Sequence, residues 1–282
     1  MARVRLHRGE LDGLDVHYTI AGHGAPSLLI HGLGGFAESW RDTAAALAPH
    51  GQVIALDLPG FGQSAKPRRP YTLGFFAQVV DGLLGALGVE RVRLVGHSLG
   101  GGVAAAFALA HPDRVERLAL IAATIPGFPI RPSLAYRLMV LPGVGELISS
   151  LVTPRICAVA LKRCLVRPCP DDVAFLVEHQ YAVRTTPEGR AAYLATLRAM
   201  KREFTREGTA WRDALASWHR PTLMIHGRQD PVVPIAHAVA ASRSIPHAEA
   251  RWLDRCGHFP QLEHAGAVNE QLTAFLFARA GR

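Results

Sequence analysis

Ser98 has the clearest capacity for covalent chemistry in this sequence, because it stands at the centre of the pattern G-x-S-x-G over residues 96–100. A short apolar run over 92–95 precedes the pattern, and a run of small residues over 103–110 follows it. A strand, a sharp turn and a helix in this order hold a serine hydroxyl out of the top of a sheet. Both glycines are needed, since a Cβ at either position would collide with the neighbouring chain. We therefore predict that Ser98 is a nucleophile.

A base and a group that orients it are predicted in two later loops. The apolar run over 222–225 precedes H-G-R-Q-D-P, which contains Asp230, and the run over 250–253 precedes D-R-C-G-H-F-P, which contains His258. Ligands of open α/β sheets bind beyond the carboxyl ends of strands, where all three side chains fall. The pattern predicts acyl transfer: His258 takes the Ser98 proton and returns it to the leaving group, while Asp230 fixes the imidazole tautomer.

Two backbone amides are predicted to stabilise the negative charge that develops on the substrate oxygen. The Leu99 amide begins the helix after the nucleophile, where no acceptor within the helix is available. The Leu33 amide lies in the loop after an apolar run over 27–30, and the glycines of this loop let the backbone approach the substrate closely.

Strand and helix patterns alternate on either side of these loops, which predicts a mostly parallel sheet covered on both faces. Residues 3–8 and 15–21, separated by Asp12 and Gly13, are typical of an antiparallel hairpin at the edge of the sheet. The other predicted strands lie at 27–30, 53–56, 92–96, 118–121, 222–225 and 250–253, and the predicted helices at 37–47, 72–87, 99–110 and 266–279.

The stretch over 126–208 breaks this alternation. It has helical segments and eight prolines but no strand-like run bounded by turns, so we interpret it as an insertion. It holds 12 Lys or Arg and 7 Asp or Glu, a net charge of +5 out of +8 for the chain. Its first part is strongly apolar from Phe128 to Val144. These side chains are expected either to pack onto the core or to line an apolar substrate pocket with arginines at its rim.

Composition limits the classes of function. The 282 residues suit one large α/β domain with an insertion, and no apolar run is long enough for a membrane span. The N-terminus lacks a secretory signal, which predicts a cytoplasmic protein with four reduced cysteines. The basic residues are scattered and no nucleic-acid motif is present. No cofactor or metal site is expected, since Cys164 and Cys169 have no histidine pattern nearby.

The sequence resembles serine hydrolases of the α/β-hydrolase fold, and in particular esterases and meta-cleavage-product C–C hydrolases. The matching motifs are H-G-L-G-G at 31–35, D-L-P-G-F-G-Q-S at 57–64, G-H-S-L-G-G at 96–101, H-G-R-Q-D-P-V-V-P at 226–234 and G-H-F-P-Q-L-E at 257–263. The resemblance implies an eight-stranded sheet formed by 1–125 and 209–282, with a helical cap over 126–208. It also implies a catalytic triad of Ser98, Asp230 and His258.

Several activities share these residues. Cleavage of a carboxylic ester with an apolar part through an acyl-enzyme on Ser98 is the leading interpretation. Hydrolysis of the C–C bond of 2-hydroxy-6-oxo-dienoates is the alternative, although those enzymes usually follow the catalytic histidine with Trp, where this chain has Phe259. They also hold the substrate carboxylate with a cap arginine, for which Arg184 and Arg190 are candidates. A perhydrolase side activity, a small-ligand receptor and a homodimer remain open, whereas the serine disfavours relatives that use an Asp nucleophile.

The remaining polar candidates are expected to be structural. His31 and Asp57 are expected to shape their loops, and His97 to line the site or pack beside the nucleophile. His226 is expected to be buried with a hydrogen bond. His237 and His264 are expected to lie on helices or at the surface.

Overall fold

The computed structural model describes residues 2–7 and 9–278. The sequence pattern extends the first strand to Arg8 and the last helix to Arg279, and both residues lie outside the described part. Within it, strands and helices alternate as the sequence predicts, and the chain has an α/β fold.

Eight strands form one mostly parallel sheet. They are β1 (Ala2–Leu6), β2 (Leu14–Ala21), β3 (Pro26–Ile30), β4 (Gln52–Leu56), β5 (Val92–His97), β6 (Val115–Ile121), β7 (Thr222–Gly227) and β8 (Glu249–Leu253). Their order in the sheet is β1-β2-β4-β3-β5-β6-β7-β8. Strand β2 runs antiparallel to both of its neighbours, and all other pairs are parallel. The predicted hairpin and the predicted parallel sheet are both confirmed.

Helices cover both faces of the sheet. They are α1 (Arg41–Leu47), α2 (Leu73–Ala86), α3 (Leu99–Ala110), α4 (Leu134–Met139), α5 (Val144–Ser150), α6 (Pro154–Arg163), α7 (Pro170–Arg184), α8 (Pro187–Arg206), α9 (Gly208–Ala216), α10 (Ile235–Ser244), α11 (Pro260–Glu263) and α12 (Ala265–Leu276). Successive residues of β3 face opposite sides, because side chains alternate along a strand. Leu28 packs in a cluster with Phe76 of α2 and Val103 of α3, whereas Leu29 packs with Leu272 of α12 on the other face. Burial on both faces explains why Leu28, Leu29 and Ile30 of β3 are all apolar.

Helices α4 to α8, called here the inserted helices, lie between β6 and β7 in the chain. Three prolines of this stretch, Pro154, Pro170 and Pro187, each occupy the first residue of a helix. Proline suits that position, because its missing N–H would have no acceptor within the helix. The prolines that mark the break in the sequence pattern therefore separate five helices rather than disrupt one.

No single helix in the described ranges is long and apolar enough to cross a membrane. The pair α5 and α6 has the required length and composition only when taken together, and it is bent by 108° at the break.

Candidate active site

The sharp turn after β5 holds Ser98 in an unusual backbone conformation, with φ at 52° and ψ at −119°. A non-glycine residue pays strain energy in this region of φ, so the surrounding structure must enforce it. The Ser98 amide donates to the carbonyl of Ile121 at 2.9 Å, which ties the turn to β6. A Cβ on Gly96 would overlap the Gly100 carbonyl, and one on Gly100 would overlap the Ile30 carbonyl. The predicted need for both glycines is confirmed.

Three side chains from three loops meet at this turn. The Ser98 Oγ lies 2.9 Å from His258 Nε2, and His258 Nδ1 lies 2.7 Å from Asp230 Oδ2. With the proton on Nδ1 donated to the carboxylate, Nε2 is free to accept the serine hydroxyl proton. All three side chains are buried. The arrangement can therefore transfer a proton from the serine to the imidazole without competition from bulk water.

Asp230 is held as a carboxylate by several donors. Its Oδ1 accepts the backbone N–H groups of Val232 and Val233, at 2.8 and 2.9 Å. Burial pushes its pKa upward, but the interactions with His258, His226 and the Val233 amide outweigh burial and lower the pKa below its usual value. His226, buried as predicted, donates its Nε2 proton to the Val233 carbonyl at 2.8 Å. Asp230 can thus keep the negative charge that an imidazolium at position 258 requires.

The backbone of His258 is fixed on both sides. Its N–H donates to the Cys164 carbonyl at 2.7 Å, and its own carbonyl accepts the Nε2 proton of His97 at 2.7 Å. Burial, followed by repulsion from His258, lowers the pKa of His97 to about 3, so this ring stays neutral at ordinary pH. His97 lines the cavity beside Ser98, which fits the expectation of lining or packing, and its hydrogen bond to the His258 carbonyl is an addition to that expectation.

Glu263 connects the loop of His258 to the inserted stretch. One carboxylate oxygen accepts the Gly257 amide at 2.7 Å, and the other accepts the amides of Val166 and Arg167 at 2.6 and 3.1 Å. Val166 and Arg167 lie between α6 and α7, on the same segment as the carbonyl that binds the His258 amide. In the sequence, Glu263 stands out only as the last letter of the motif at 257–263, because nothing in the residue type indicates which backbone amides it binds.

The loop after β3 comes close to the nucleophile. A Cβ on Gly32 would lie 3.0 Å from Ser98 Cβ, so the absence of a side chain allows this approach. Leu33 lines the cavity beside Ser98, and Leu99 is the first residue of α3, so the two predicted oxyanion donors lie in the loop that approaches Ser98 and in the helix that follows it. His31 shapes the loop, since it bonds the Gly32 carbonyl through Nδ1 at 2.7 Å and accepts the Leu58 amide at Nε2.

Asp57 lies away from the triad and organises the loop after β4. Its carboxylate accepts the amides of Ala37 and Gln63 at 2.6 and 2.7 Å and bonds His17 Nδ1 at 2.8 Å. Burial would raise its pKa, but the bond to His17, the charge of His31 and these amides lower it. The expectation that Asp57 shapes its loop agrees with these contacts.

His237 lies on a helix, one of the two positions expected for it, and its ring is buried rather than exposed. It lies on α10 but is fully buried, where Nε2 accepts the Ile125 amide at 3.1 Å and Nδ1 bonds the Pro129 carbonyl at 3.2 Å. Burial lowers its pKa to about 4. The structural role expected for His237 agrees with these contacts, since this histidine fixes the chain where it leaves β6.

Glu203 of α8 joins the inserted helices to the core. One carboxylate oxygen accepts the amide of Leu73, the first residue of α2, at 2.9 Å. The other oxygen is buried without a hydrogen-bond partner among the described residues. Burial raises the pKa of Glu203 to about 7.

A cavity of about 570 Å³ lies beside Ser98 and His258, between the core loops and the inserted helices. Three basic side chains line it, namely Arg131, Arg184 and Lys201, and no Asp or Glu of the described residues does. The guanidinium of Arg190 instead donates to the carbonyls of Arg184 and Thr185. The cavity therefore favours substrates that carry a negative charge.

The apolar first part of the inserted stretch divides into three groups. Met139 and Val140 are buried, which fits packing, and Phe128, Ile130 and Tyr136 line the cavity, which fits a pocket. Leu134, Leu138, Leu141 and Val144 do neither, because they are exposed to solvent. Exposure of this last group was not expected.

One further side chain contacts the nucleophile. The Thr124 hydroxyl lies 3.4 Å from Ser98 Oγ and lines the cavity. No signal in the sequence pointed to it. No cluster of three or more metal-binding side chains occurs within residues 2–7 and 9–278.

Comparisons with known proteins identify the family of the chain. The family model of the alpha/beta hydrolase fold matches residues 28–265. A 2-hydroxymuconate semialdehyde hydrolase of Pseudomonas sp. (strain CF600) is 31% identical over 268 residues, which cover 94% of this chain and 91% of the relative. The solved 2-hydroxy-6-oxo-6-phenylhexa-2,4-dienoate hydrolase from Rhodococcus sp. strain RHA1 has a TM-score of 0.83 at 27% identity, covering 98% of this chain and 99% of its own. A thermophilic esterase from Thermogutta terrifontis has a TM-score of 0.81 at 25% identity, with 98% of each chain covered. The chain belongs to the α/β-hydrolase fold family.

Proposed function

We propose that the protein is a serine hydrolase that cleaves a C–C bond in an anionic 2-hydroxy-6-oxo-dienoate. The observation that carries this proposal is the charge of the cavity, which has three basic side chains and no acidic one beside the Ser98 hydroxyl. The proposal is also supported by the 2-hydroxymuconate semialdehyde hydrolase, because at 31% its sequence identity to this chain is higher than that of the other two proteins described above. The comparisons thus favour the alternative over ester cleavage, the leading interpretation from the sequence.

The proposed reaction begins when the 2-hydroxyl proton of the dienoate moves to C5, which gives the keto tautomer. Ser98 then attacks the 6-oxo carbon. His258 accepts the serine proton, and the amides of Leu33 and Leu99 stabilise the oxyanion. When the tetrahedral adduct collapses, the C5–C6 bond breaks and its electron pair moves onto the departing fragment. That fragment takes a proton, and an acyl group remains on Ser98. Water activated by His258 then releases the acyl group as a carboxylic acid.

The C1 carboxylate and the C2 oxygen of the substrate belong to the departing fragment, and the C2 oxygen takes up the negative charge when the C5–C6 bond breaks. In the keto tautomer of the substrate, the electron pair from C5 is delocalised through the conjugated system to the C2 oxygen, so the leaving group is an enolate rather than a localised carbanion. Cationic side chains near the C1 carboxylate and C2 oxygen stabilise that charge. Arg184 is our candidate for this role, because it lines the cavity whereas Arg190 does not.

We also assign the inserted helices, with residues 126–208 as the boundary, the role of a cap over this cavity. Residues of α6, α7 and α8 contribute to its walls, including Leu161, Leu176 and Tyr193. An apolar, enclosed cavity excludes water and strengthens the electrostatic interactions within it. The length and polarity of the cap side chains would then determine which acyl group fits.

Cleavage of carboxylic esters is the second candidate. Phe259 stands where the C–C hydrolases usually have Trp, and the Arg184 guanidinium already stacks over the Tyr193 ring at 4.4 Å. Both features favour a site less specialised for a dienoate. The same Ser98, His258 and Asp230 would carry out ester hydrolysis with an alcohol as the leaving group.

The two candidates are separated by turnover of 2-hydroxy-6-oxo-6-phenylhexa-2,4-dienoate and of p-nitrophenyl esters from acetate to laurate. C–C cleavage removes the long-wavelength absorbance of the conjugated dienolate, and kcat/KM for the dienoate should exceed that for every ester. Ser98→Ala should abolish both activities. Arg184→Gln should lower kcat and raise KM for the dienoate while leaving ester turnover unchanged, and Arg190→Gln is the matched control. Turnover of esters only would establish the second candidate, and no turnover at all would refute both.

A further inference from the structure

The inserted helices carry an unusual concentration of exposed apolar side chains. Of the eleven large apolar side chains strongly exposed in the described residues, eight lie between residues 134 and 159. Leu134 is 68% exposed and Ile156 is 51% exposed. Contiguous exposed apolar surface on a soluble protein marks a contact with another molecule or a membrane more often than scattered single residues do.

This exposure does not come from loose helices. Helix α4 is fixed by the buried Met139 and by the Tyr136 hydroxyl, which donates to the Leu197 carbonyl of α8 at 3.1 Å. Helix α5 is fixed through Glu146, which pairs with Arg198 of α8 at 2.8 Å. Both helices are thus held against α8 while they expose large apolar side chains to solvent, namely Leu134 and Leu138 on α4 and Val144 and Leu147 on α5.

The exposed side chains of α4 and α6 border the entrance of the cavity. Pro132 and Ser133, directly before Leu134, line the cavity and are exposed, and so is Ala160, next to Val159 on α6. The exposed apolar side chains form two stripes, Leu134 and Leu138 on α4 and Ile156 and Val159 on α6. These two apolar stripes thus flank the opening through which substrate must pass.

The charge around these stripes selects among the molecules that could cover them. Residues 131–167 contain six basic side chains and one acidic side chain, Glu146, which is already paired with Arg198. None of the six basic side chains has an acidic partner within 4 Å in the described ranges. A second copy of the chain would bring the same basic surface to a two-fold interface, which is repulsive. A partner with an anionic surface and an apolar interior would cover the apolar stripes and also pair with the basic side chains.

We propose that the stripes of α4 and α6, here called the entrance face, dock on an anionic phospholipid bilayer, so that the cavity opens onto the lipid surface. Such a face lies in the headgroup region with its apolar side chains inserted and its basic side chains against the lipid phosphates. A protein bound at the same place would cover the opening, whereas a bilayer can deliver amphiphilic substrate through it. The proposal does not depend on which bond Ser98 cleaves.

Co-sedimentation of the Ser98→Ala protein with vesicles tests this without turnover. We expect binding to phosphatidylcholine vesicles that contain phosphatidylglycerol, and at least tenfold weaker binding to phosphatidylcholine alone. Each basic side chain close to an anionic membrane contributes about fivefold to binding, so Arg137→Glu with Arg155→Glu should lower it roughly 25-fold or more. Leu134→Ser with Ile156→Ser should lower it about tenfold or more, because two apolar side chains no longer insert.

Matched controls lie elsewhere on the surface. Ile20→Ser removes a 49% exposed side chain of β2, and Arg243→Glu reverses a charge on α10; both should bind within twofold of the parent protein. An unchanged melting temperature and unchanged turnover of the best water-soluble substrate in the Ser98 forms of the entrance-face variants would show that the fold is intact. Equal losses in variants and controls would attribute binding to net charge and overturn the proposal. Absence of vesicle binding would overturn it too, as would a protein dimer that Leu134→Ser dissociates.

Discussion

Glu263→Gln is the substitution that best tests how the inserted stretch supports the candidate base. The carboxylate accepts three backbone amides, at 2.7 Å from Gly257 and at 2.6 and 3.1 Å from Val166 and Arg167. A glutamine keeps one acceptor oxygen, and its amide nitrogen then points at an N–H group on the other side. The change keeps the shape of the side chain and removes the charge and one acceptor.

The magnitude follows from these bonds. A donor left without its acceptor costs about 1–3 kcal/mol, so the free energy of unfolding should fall by about 2 kcal/mol and the melting temperature by roughly 4–8 °C. His258 follows Gly257 in the chain, and its amide donates a 2.7 Å hydrogen bond to the Cys164 carbonyl on the same inserted segment. A shift of a reacting group by about 1 Å costs about a hundredfold in rate, so kcat should fall roughly tenfold to a hundredfold.

The assay is steady-state turnover of the best substrate together with thermal unfolding of the same preparation. Glu270→Gln, an exposed change on α12, is the matched control and should leave both quantities unchanged. KM should change little, because Glu263 does not line the cavity. A lower melting temperature with wild-type kcat would refute the reasoning, since it would separate this anchor from the orientation of His258.

Three further predictions concern the activity of an Asp230 variant, the pH dependence of stability at Glu203 and the stability of a Gly62 variant. Asp230→Asn should lower kcat about ten-thousandfold with KM nearly unchanged, because the imidazole loses the carboxylate that fixes its tautomer, and single-turnover kinetics would check it. Burial raises the pKa of Glu203 to about 7 from an ordinary value of 4.5. Between these two pH values the folded state therefore binds more protons than the unfolded state, so the stability of the wild-type protein should fall as the pH rises from 4.5 to 7. Glu203→Gln should abolish that decline in melting temperature from pH 5 to 7.5, and an equally steep decline in the variant would contradict the assignment. Gly62→Ala should lower the free energy of unfolding by about 3 kcal/mol in urea titrations, because the residue has a φ of +47° and its Cβ would overlap the Asp57 carboxylate; no loss would contradict this.

The sequence was sufficient to predict the three side chains that meet at the site. Ser98, Asp230 and His258 each follow an apolar run that must be a strand, and parallel strands place the loops after their carboxyl ends at one edge of the sheet. The position of each side chain is therefore determined by the topology, and the topology could be predicted from the alternation of strands and helices.

The supporting contacts could not be predicted in the same way. Glu263 and His97 act on backbone groups, and backbone groups look alike in a sequence. The Cys164 carbonyl that binds His258 lies 94 residues earlier in the chain, in a segment whose path depends on packing rather than on periodicity. His237 illustrates the same limit, because a histidine on an amphipathic helix gives no indication that its ring bonds two backbone groups beneath the surface.

The exposed side of the inserted helices was unpredictable for a different reason. Leu134 and Met139 belong to one apolar run, and apolar residues are normally expected to be buried. Only the packing of α4 on α8 decides that Met139 faces inward while Leu134 faces solvent.

The hydrogen bond from the His258 amide to the Cys164 carbonyl bears on how this fold can diversify. If the inserted stretch were an independent module, exchanging it between relatives would transfer substrate preference and leave the chemistry untouched. Here the stretch also supplies the anchor for the candidate base. A chimera that replaces 126–208 must therefore reproduce the path of the chain at 164–167, and evolution can vary the helices on either side of that segment more freely than the segment itself.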